Sequence, residues 1–363
     1  MNEKYLTDNL ITYIGNKRKL LNFLDSGFQK VISKLNKDKI TALDGFSGSG
    51  IVSRLLKKYC STLYINDLEL YSYIINKCYL SNVSMEDYDL IVKTIDELNN
   101  IKDDDLYESF ITKNYSPIDD NDIKENERVF YTHKNAVKID SIKRIIFNTI
   151  PEDYRHYYLA PLLVQASIHT NTSGVFKGFH KKDGIGHFGG KAENCLERIK
   201  GDIHLEYPIF FNNDCDIKIY QKDINELVKE LPEVDMVYYD PPYNQHPYGS
   251  NYFMLNIIAN ENEEADIQDG VSGIIKDWNK SNYNKRNEAL ESMDELIKNT
   301  KSKYILISYN NEGIIPMDAF ESLLKKYGNV EMLKQEYNTY RGSRNLNNRN
   351  KKVDELLWIL EKK

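Results

Sequence analysis

Four consecutive residues, Asp240-Pro241-Pro242-Tyr243, follow directly on the apolar run Met236-Val237-Tyr238-Tyr239. The run reads as a buried strand. The two prolines, which fix φ and cannot extend a ladder, end it in a stiff loop. A carboxylate, a bare carbonyl and an aromatic ring are thereby presented together at the carboxyl end of a strand, where open α/β sheets bind ligands. That set suits work on an exocyclic amine of a nucleobase. Such an amine is a poor nucleophile because its lone pair is delocalised into the ring. Two acceptors on its N–H groups, the Asp240 carboxylate and the Pro241 carbonyl, favour the pyramidal geometry that attack requires. Tyr243 offers a flat face to a base taken out of its stack. For a lone Asp-Pro-Pro the plainer reading is a stiff turn with Asp240 as a local cap. The strand before it and the segments described next favour the chemical reading.

Those segments are positioned by a repeated strand–loop–helix pattern. A short apolar strand ends at Asp44, and a loop containing Gly45, Gly48 and Gly50 then opens a helix (Ile51, Val52, Leu55, Leu56). Glycines there let the backbone approach a ligand closely. The spacing is neither G-x-G-x-x-G nor a P-loop, and an acid ahead of the first glycine favours an ammonium over a phosphate. The next strand, 62–67, ends at Asp67, where an acid commonly takes ribose hydroxyls; a cap for the helix at 68–80 is the alternative. Residues 216–223 alternate as a third strand ending at Asp223, which suits a ligand contact or the N-cap of the helix beginning at Ile224. Near the amino terminus, Tyr13 and Lys17 flank Gly15 ahead of a helical pattern (Leu20, Leu21, Phe23, Leu24, Phe28, Val31, Ile32). Amides and cations at that helix start suit a carboxylate, with a plain surface lysine as the alternative.

The tetrapeptide Asp240–Tyr243, and the longer run from it to Asn256, resemble the catalytic segment of S-adenosylmethionine-dependent DNA adenine methyltransferases that modify the exocyclic amino group, as found in restriction–modification systems. The order of parts is similar to that family over nearly the whole chain. The resemblance implies a catalytic set of Asp240, Pro241, Pro242 and Tyr243. It places the donor S-adenosylmethionine against Tyr13, Lys17, Asp44, Phe46, Gly48, Gly50, Asp67, Asp223 and Asp240. Within that set, Tyr13 and Lys17 would close over the methionine end, Asp67 would take the ribose and Asp223 the adenine amino group. Family members often carry a second glycine where Asn16 stands here. The fold implied is a doubly wound, mostly parallel methyltransferase (Rossmann-like) α/β sheet, its last strand antiparallel, with an inserted and largely helical target-recognition region. The mechanism implied is base flipping and direct in-line transfer without a metal. The partners implied are double-stranded DNA and a cognate restriction endonuclease. Two other classes fit the residues less well: a methyltransferase for another amino target (cytosine, RNA adenine or a protein glutamine), and a DNA-binding regulator that kept the fold without turnover.

Composition bounds these readings. Hydrophobic residues make up 41% and charged residues 28% of the 363, as in a globular domain with a sizeable core. No apolar run reaches the ~18 residues of a membrane span, and the amino terminus lacks the apolar core of a signal peptide. The four cysteines are scattered without a C-x-x-C pair, which points to reduced thiols and a cytoplasmic protein rather than a zinc site. The net charge of −7 demands that a nucleic-acid enzyme segregate its charge. The chain does so: residues 341–352 carry five cations and no acid, while 261–269 carry five acids and no base. Residues 1–84 and 214–363 are read as the catalytic domain, and 85–213 as the inserted region that reads DNA. Within the insertion, residues 171–191 mix Gly, Phe, His and Lys. Lys177, His180, Lys181 and Lys182 there suit phosphate and base contact, a glycine-rich surface loop being the alternative. Tyr252 is expected beside the flipped base. Arg341, Arg344 and Arg349 are expected to clamp phosphates, against the reading of a solvated basic hairpin loop. Residues 261–286 read as a mobile loop, 303–308 as a further strand, and 329–337 with 353–360 as the closing strands.

Overall fold

The computed structural model describes residues 3–190, 195–262, 264–338 and 352–363. Its central sheet holds β1 (Ile40–Asp44), β2 (Cys60–Asn66), β5 (Asp216–Tyr220), β6 (Val234–Tyr239), β7 (Ser302–Asn310), β8 (Gly328–Asn338) and β9 (Lys352–Lys362). Two short strands, β3 (Lys181–Lys182) and β4 (Ile185–Gly186), pair separately as a hairpin. The sheet order is β5-β2-β1-β6-β7-β9-β8. Pairing is parallel from β5 to β7 and antiparallel for β9 against β7 and β8. This is the expected doubly wound, mostly parallel α/β sheet with an antiparallel last strand. From β1 the chain moves outward to β2 and β5, then crosses to β6 on the other side of β1. The carboxyl ends of β1 and β6 therefore flank a topological switch point, the place where such sheets leave a crevice.

Side-chain alternation builds one core on each face. Met236 and Tyr238 pack with Leu24, Phe28, Leu55 and Ile359 on one face. Val237 and Tyr239 pack with Ile224, Leu227, Met293 and Phe320 on the other. Each such side chain removed from water contributes about 1.5–3 kcal/mol, and a one-residue slip of β6 would exchange the faces and aim Asp240 away from the crevice. Gly27, in the helix Leu21–Leu35, permits the close approach of that helix to β9: a Cβ there would stand 2.3 Å from Leu357 Cδ2.

Residues 85–213 begin where Ser84 caps the helix Met85–Asn99, its hydroxyl accepting from the Asp87 amide at 3.0 Å. Two further helices, His133–Thr149 (capped by Thr132) and Glu152–Ile168, coincide closely with the patterned stretches of the sequence. The outgoing and returning chains are tied together: the Val83 amide donates to Asn212 Oδ1 at 2.9 Å, and Asn212 Nδ2 to the Val83 carbonyl at 2.7 Å. The region shares one apolar core with the helices Leu70–Tyr79 and Phe253–Ala259. Anything it holds is thus referred rigidly to the end of β2 and to the segment after the Pro-Pro loop. No helix among the described residues is long and apolar enough to cross a membrane.

Candidate active site

A hollow of about 890 Å³, counted out to its solvent mouth, lies over the carboxyl ends of β1, β2 and β6. Asp240 and Pro242 line it together with Tyr13, Lys17, Phe46, Gly48, Asp67 and Asp223. Elements scattered along the chain are brought to one cavity: Phe46, Gly48, Asp67 and Asp240 follow the ends of strands at the switch point, and the amino-terminal segment of Tyr13 and Lys17 lies across them.

The Asp240 wall is an ion-paired cluster. Lys17 Nζ lies 3.0 Å from Asp240 Oδ1 and 3.1 Å from Glu355 Oε1. The Lys17 and Glu355 side chains are 4% and 1% exposed, whereas Asp240 is 18% exposed, so of the three the aspartate opens most to the cavity. Burial alone would lower the Lys17 pKa; Asp240 and Glu355 together carry it well above the ordinary lysine range. Burial pushes Asp240 up to about 6, with Lys17 pulling it down and Glu355 pushing it up. Tyr243 stands edge-on to Tyr309, and the Lys17 ammonium lies 5.7 Å from the Tyr243 ring centre. The loop is held at its far side by the Ile314 amide on the Tyr243 carbonyl at 3.0 Å and by Asn284 Nδ2 on the Asn244 carbonyl at 2.7 Å.

The glycine loop shows why glycine is needed at two of its positions. Gly48 has φ +52°, and a Cβ there would stand 2.8 Å from the Tyr13 ring. Gly50 has φ +76°, and its Cβ would stand 2.4 Å from Asn76 Oδ1. The loop is fixed by Asp67, whose Oδ2 accepts from the Gly48 amide at 2.7 Å and whose Oδ1 accepts from the Glu69 amide at 2.9 Å. Asp44 lies behind the loop and does not line the hollow. Its Oδ2 accepts from the Ser53 hydroxyl at 2.6 Å, its Oδ1 is buried with no hydrogen-bond partner, and burial pushes its pKa up to about 7. Asp223 both lines the hollow and caps the helix Ile224–Glu230, accepting from the Asn225 amide at 2.8 Å. Phe46 packs edge-to-face on Tyr239 and Tyr283.

Lys177, Lys181 and Lys182 are exposed and His180 is half-buried, with Lys181 and Lys182 on the β3–β4 hairpin. Tyr252 is placed differently from the expectation of a contact beside the flipped base. It is fully buried, and its hydroxyl accepts from the Ile14 amide at 2.8 Å. Tyr248, one helical turn earlier, donates to the Ile14 carbonyl at 2.9 Å, and both rings stack on Tyr13. Tyr252 therefore braces the Tyr13–Gly15 segment, because its position after the turn at Pro247 aims it inward. Arg341, Arg344 and Arg349 lie outside the described residues.

Several lining residues were not singled out in the sequence. Asn279, Ser281, Tyr283 and Asn284, from the stretch read as a mobile loop, form one wall of the hollow. Asn279 Nδ2 donates to the Leu68 carbonyl at 3.0 Å, and Tyr283 Oη to Asn225 Oδ1 at 2.7 Å. Glu69 lines the same wall; burial raises it to about 7, while Asn256 Nδ2 donates to it at 2.6 Å. The available signal for Glu355 was an acid opening the apolar run Leu356-Leu357-Trp358-Ile359-Leu360. Among the described residues no cluster of three or more His, Cys, Asp or Glu side chains is placed to hold a metal ion.

The model of the D12 class N6 adenine-specific DNA methyltransferases matches residues 13–323. The chain belongs to this family. The methyltransferase is 30% identical over 360 residues to the type II methyltransferase M.NlaIII of Neisseria lactamica, covering 97% of this chain and 99% of that one. It is 31% identical over 344 residues to the type II methyltransferase M.CviAII of Paramecium bursaria Chlorella virus 1, covering 92% of this chain and 93% of that one. Against the modification methylase StsI of Streptococcus sanguinis it is 30% identical over 367 residues, which is 97% of this chain but 52% of the relative. The enzyme transfers a methyl group to the amino group of adenine in DNA, and the cavity at the switch point is its candidate centre.

Proposed function

We propose that the hollow binds S-adenosylmethionine beside a flipped-out adenine, and that Asp240, Pro241, Pro242 and Tyr243 carry the transfer. The observation that carries this is the opening of Asp240 into the same cavity as the glycine loop, Phe46 and Asp67. The residues fit such a donor. Gly48 keeps clear the space that a Cβ would crowd, and Asp67 and Asp223 suit ribose and adenine polar groups. When bound, the donor supplies an electrophilic methyl group on a sulfonium sulfur.

The chain's own residues then do three things. Asp240 and the Pro241 carbonyl accept from the two amino N–H groups of the extruded base. Tyr243 supports the ring by stacking. Lys17 holds Asp240 in place, so that positioning supplies most of the acceleration. The N6 lone pair would form the new N–C bond as the S–CH3 bond of the sulfonium breaks and its electron pair returns to sulfur, leaving a neutral thioether; the proton left on nitrogen would pass to solvent with Asp240 as first acceptor, the methylated nitrogen being acidic enough to need no strong base.

Residues 85–213 serve in this reading as the target-recognition region on the 1–84 and 214–363 catalytic domain. The exposed cations Lys177, Lys181 and Lys182, with His180, contact duplex phosphates. The names of the relatives, type II methyltransferases and modification methylases, support a role beside a cognate restriction endonuclease. The test is tritium transfer from labelled S-adenosylmethionine to duplexes in which only adenine or only cytosine is available. Label on adenine, with a one-to-one donor complex by calorimetry, is expected. Label on cytosine, or no donor binding, would overturn the assignment.

A further inference from the structure

The buried cluster behind Asp240 contains one residue that the catalytic set does not use. Glu355 stands at the start of β9, beyond the residues that the family description matches. Because β9 runs antiparallel to β7, its beginning lies at the same sheet edge as the carboxyl end of β6. The Glu355 side chain is almost wholly buried, and Lys17 is its ionic partner. A buried carboxylate left without its cation is strongly destabilising, so Glu355 demands that the Lys17 ammonium stay in the wall. Lys17 is thus gripped from two sides. Its bond to Asp240 takes Oδ1, and no described residue donates to Oδ2.

We propose that Glu355 is a positioning residue for methyl transfer: it anchors Lys17, and through Lys17 it fixes the Asp240 carboxylate with Oδ2 free for the substrate amine. The inference rests on Asp240 being that acceptor. A lysine paired with Asp240 alone would be drawn onto the carboxylate and compete with the amine; shared with Glu355, it orients the acceptor without neutralising it. The cluster of two acids and one cation keeps a net negative charge, which suits an amine that becomes cationic as it reacts. The groups facing it are Lys17 from the amino-terminal segment, Asp44 from β1, Tyr238 from β6, Tyr248 from the helix Tyr248–Asn251, and Tyr243 from the catalytic loop.

Glu355→Gln keeps the shape and removes the charge. The full chain is compared with wild type by equilibrium donor and duplex binding, by single-turnover methylation and by its pH profile. The single-turnover rate should fall about ten- to a hundredfold through misplacement of the acceptor, while both affinities stay within about threefold. The acid limb of the rate should move to lower pH by about one unit, because the negative charge that raises the Asp240 pKa is gone. A rate and limb like those of wild type would overturn the proposal, as would a rate loss with the limb unmoved, which marks a structural brace only. If Glu355→Gln does not fold, Glu355→Asp, which retracts the charge by one methylene, should move the limb the same way by less; an unmoved limb there counts against it equally. An inactive Asp240→Ala beside a normal Glu355→Gln removes only the role of Glu355, whereas an active Asp240→Ala removes the acceptor reading beneath it.

Discussion

The crevice at the switch point and the face carried by residues 85–213 solve opposite problems. In the crevice the charged groups around Asp240 and the glycine loop are buried or half-buried and already paired: Lys17 between Asp240 and Glu355, Asp67 on the amides of Gly48 and Glu69. On the β3–β4 hairpin the charges are exposed, with Lys181 and Lys182 turned to solvent. Buried partners fix atoms to within fractions of an ångström, which methyl transfer needs. Exposed lysines fix nothing by themselves but supply a salt-sensitive attraction that suits a long polyanion. The contrast teaches that the two faces should fail differently when altered.

The sharpest break of that comparison is at Asp240. Asp240→Ala should lower the single-turnover rate by about a thousandfold while leaving duplex affinity near wild type, measured by quench-flow and by fluorescence anisotropy. Loss of DNA affinity with the rate retained would invert the assignment of the two regions. Next, Lys181→Ala with Lys182→Ala should reduce the slope of log Kd against log salt by about 2 and spare the single-turnover rate on saturating DNA. A slope equal to that of wild type would show that the hairpin does not meet phosphates.

pH separates the regions more gently. Burial pushes Asp240 up to about 6 against the pull of Lys17, and protonation removes the acceptor. The rate should therefore fall as pH drops through about 6, to roughly a tenth of its plateau at about pH 5. A flat rate from mildly alkaline to mildly acid pH would contradict an ionised acceptor. The smallest effect is expected at Tyr252. Tyr252→Phe removes the part-buried hydrogen bond from the Ile14 amide, at a cost of about 0.5–1.5 kcal/mol in chemical denaturation, and should leave the salt slope unchanged. A changed slope would return Tyr252 to the DNA side.

Much of this was legible before any coordinates. The alternation around Met236–Tyr239, the prolines that end the strand, and the glycine loop after Asp44 are local signals, written in neighbouring residues and therefore readable from them. They marked individual strands and the residues at their carboxyl ends; the doubly wound sheet was implied by the family resemblance, and its strand order and switch point are set by the fold. The helices at 133–149 and 154–169 were readable for the same reason.

What only the tertiary structure decided are pairings between distant residues. Nothing near Glu355 says that an antiparallel β9 brings it to Lys17, since the direction of a strand is set by its neighbours in the sheet and not by its own sequence. Nothing near Tyr252 says that it turns inward to hold the Ile14 amide, since its burial depends on the amino-terminal segment lying across it. The stretch 279–284 looked like loop because its composition is polar, and it became a wall because Asn279 and Tyr283 find partners on other elements. Sequence settles what each residue wants locally; which distant group satisfies it is settled by the fold, because burial and pairing are properties of the packed whole.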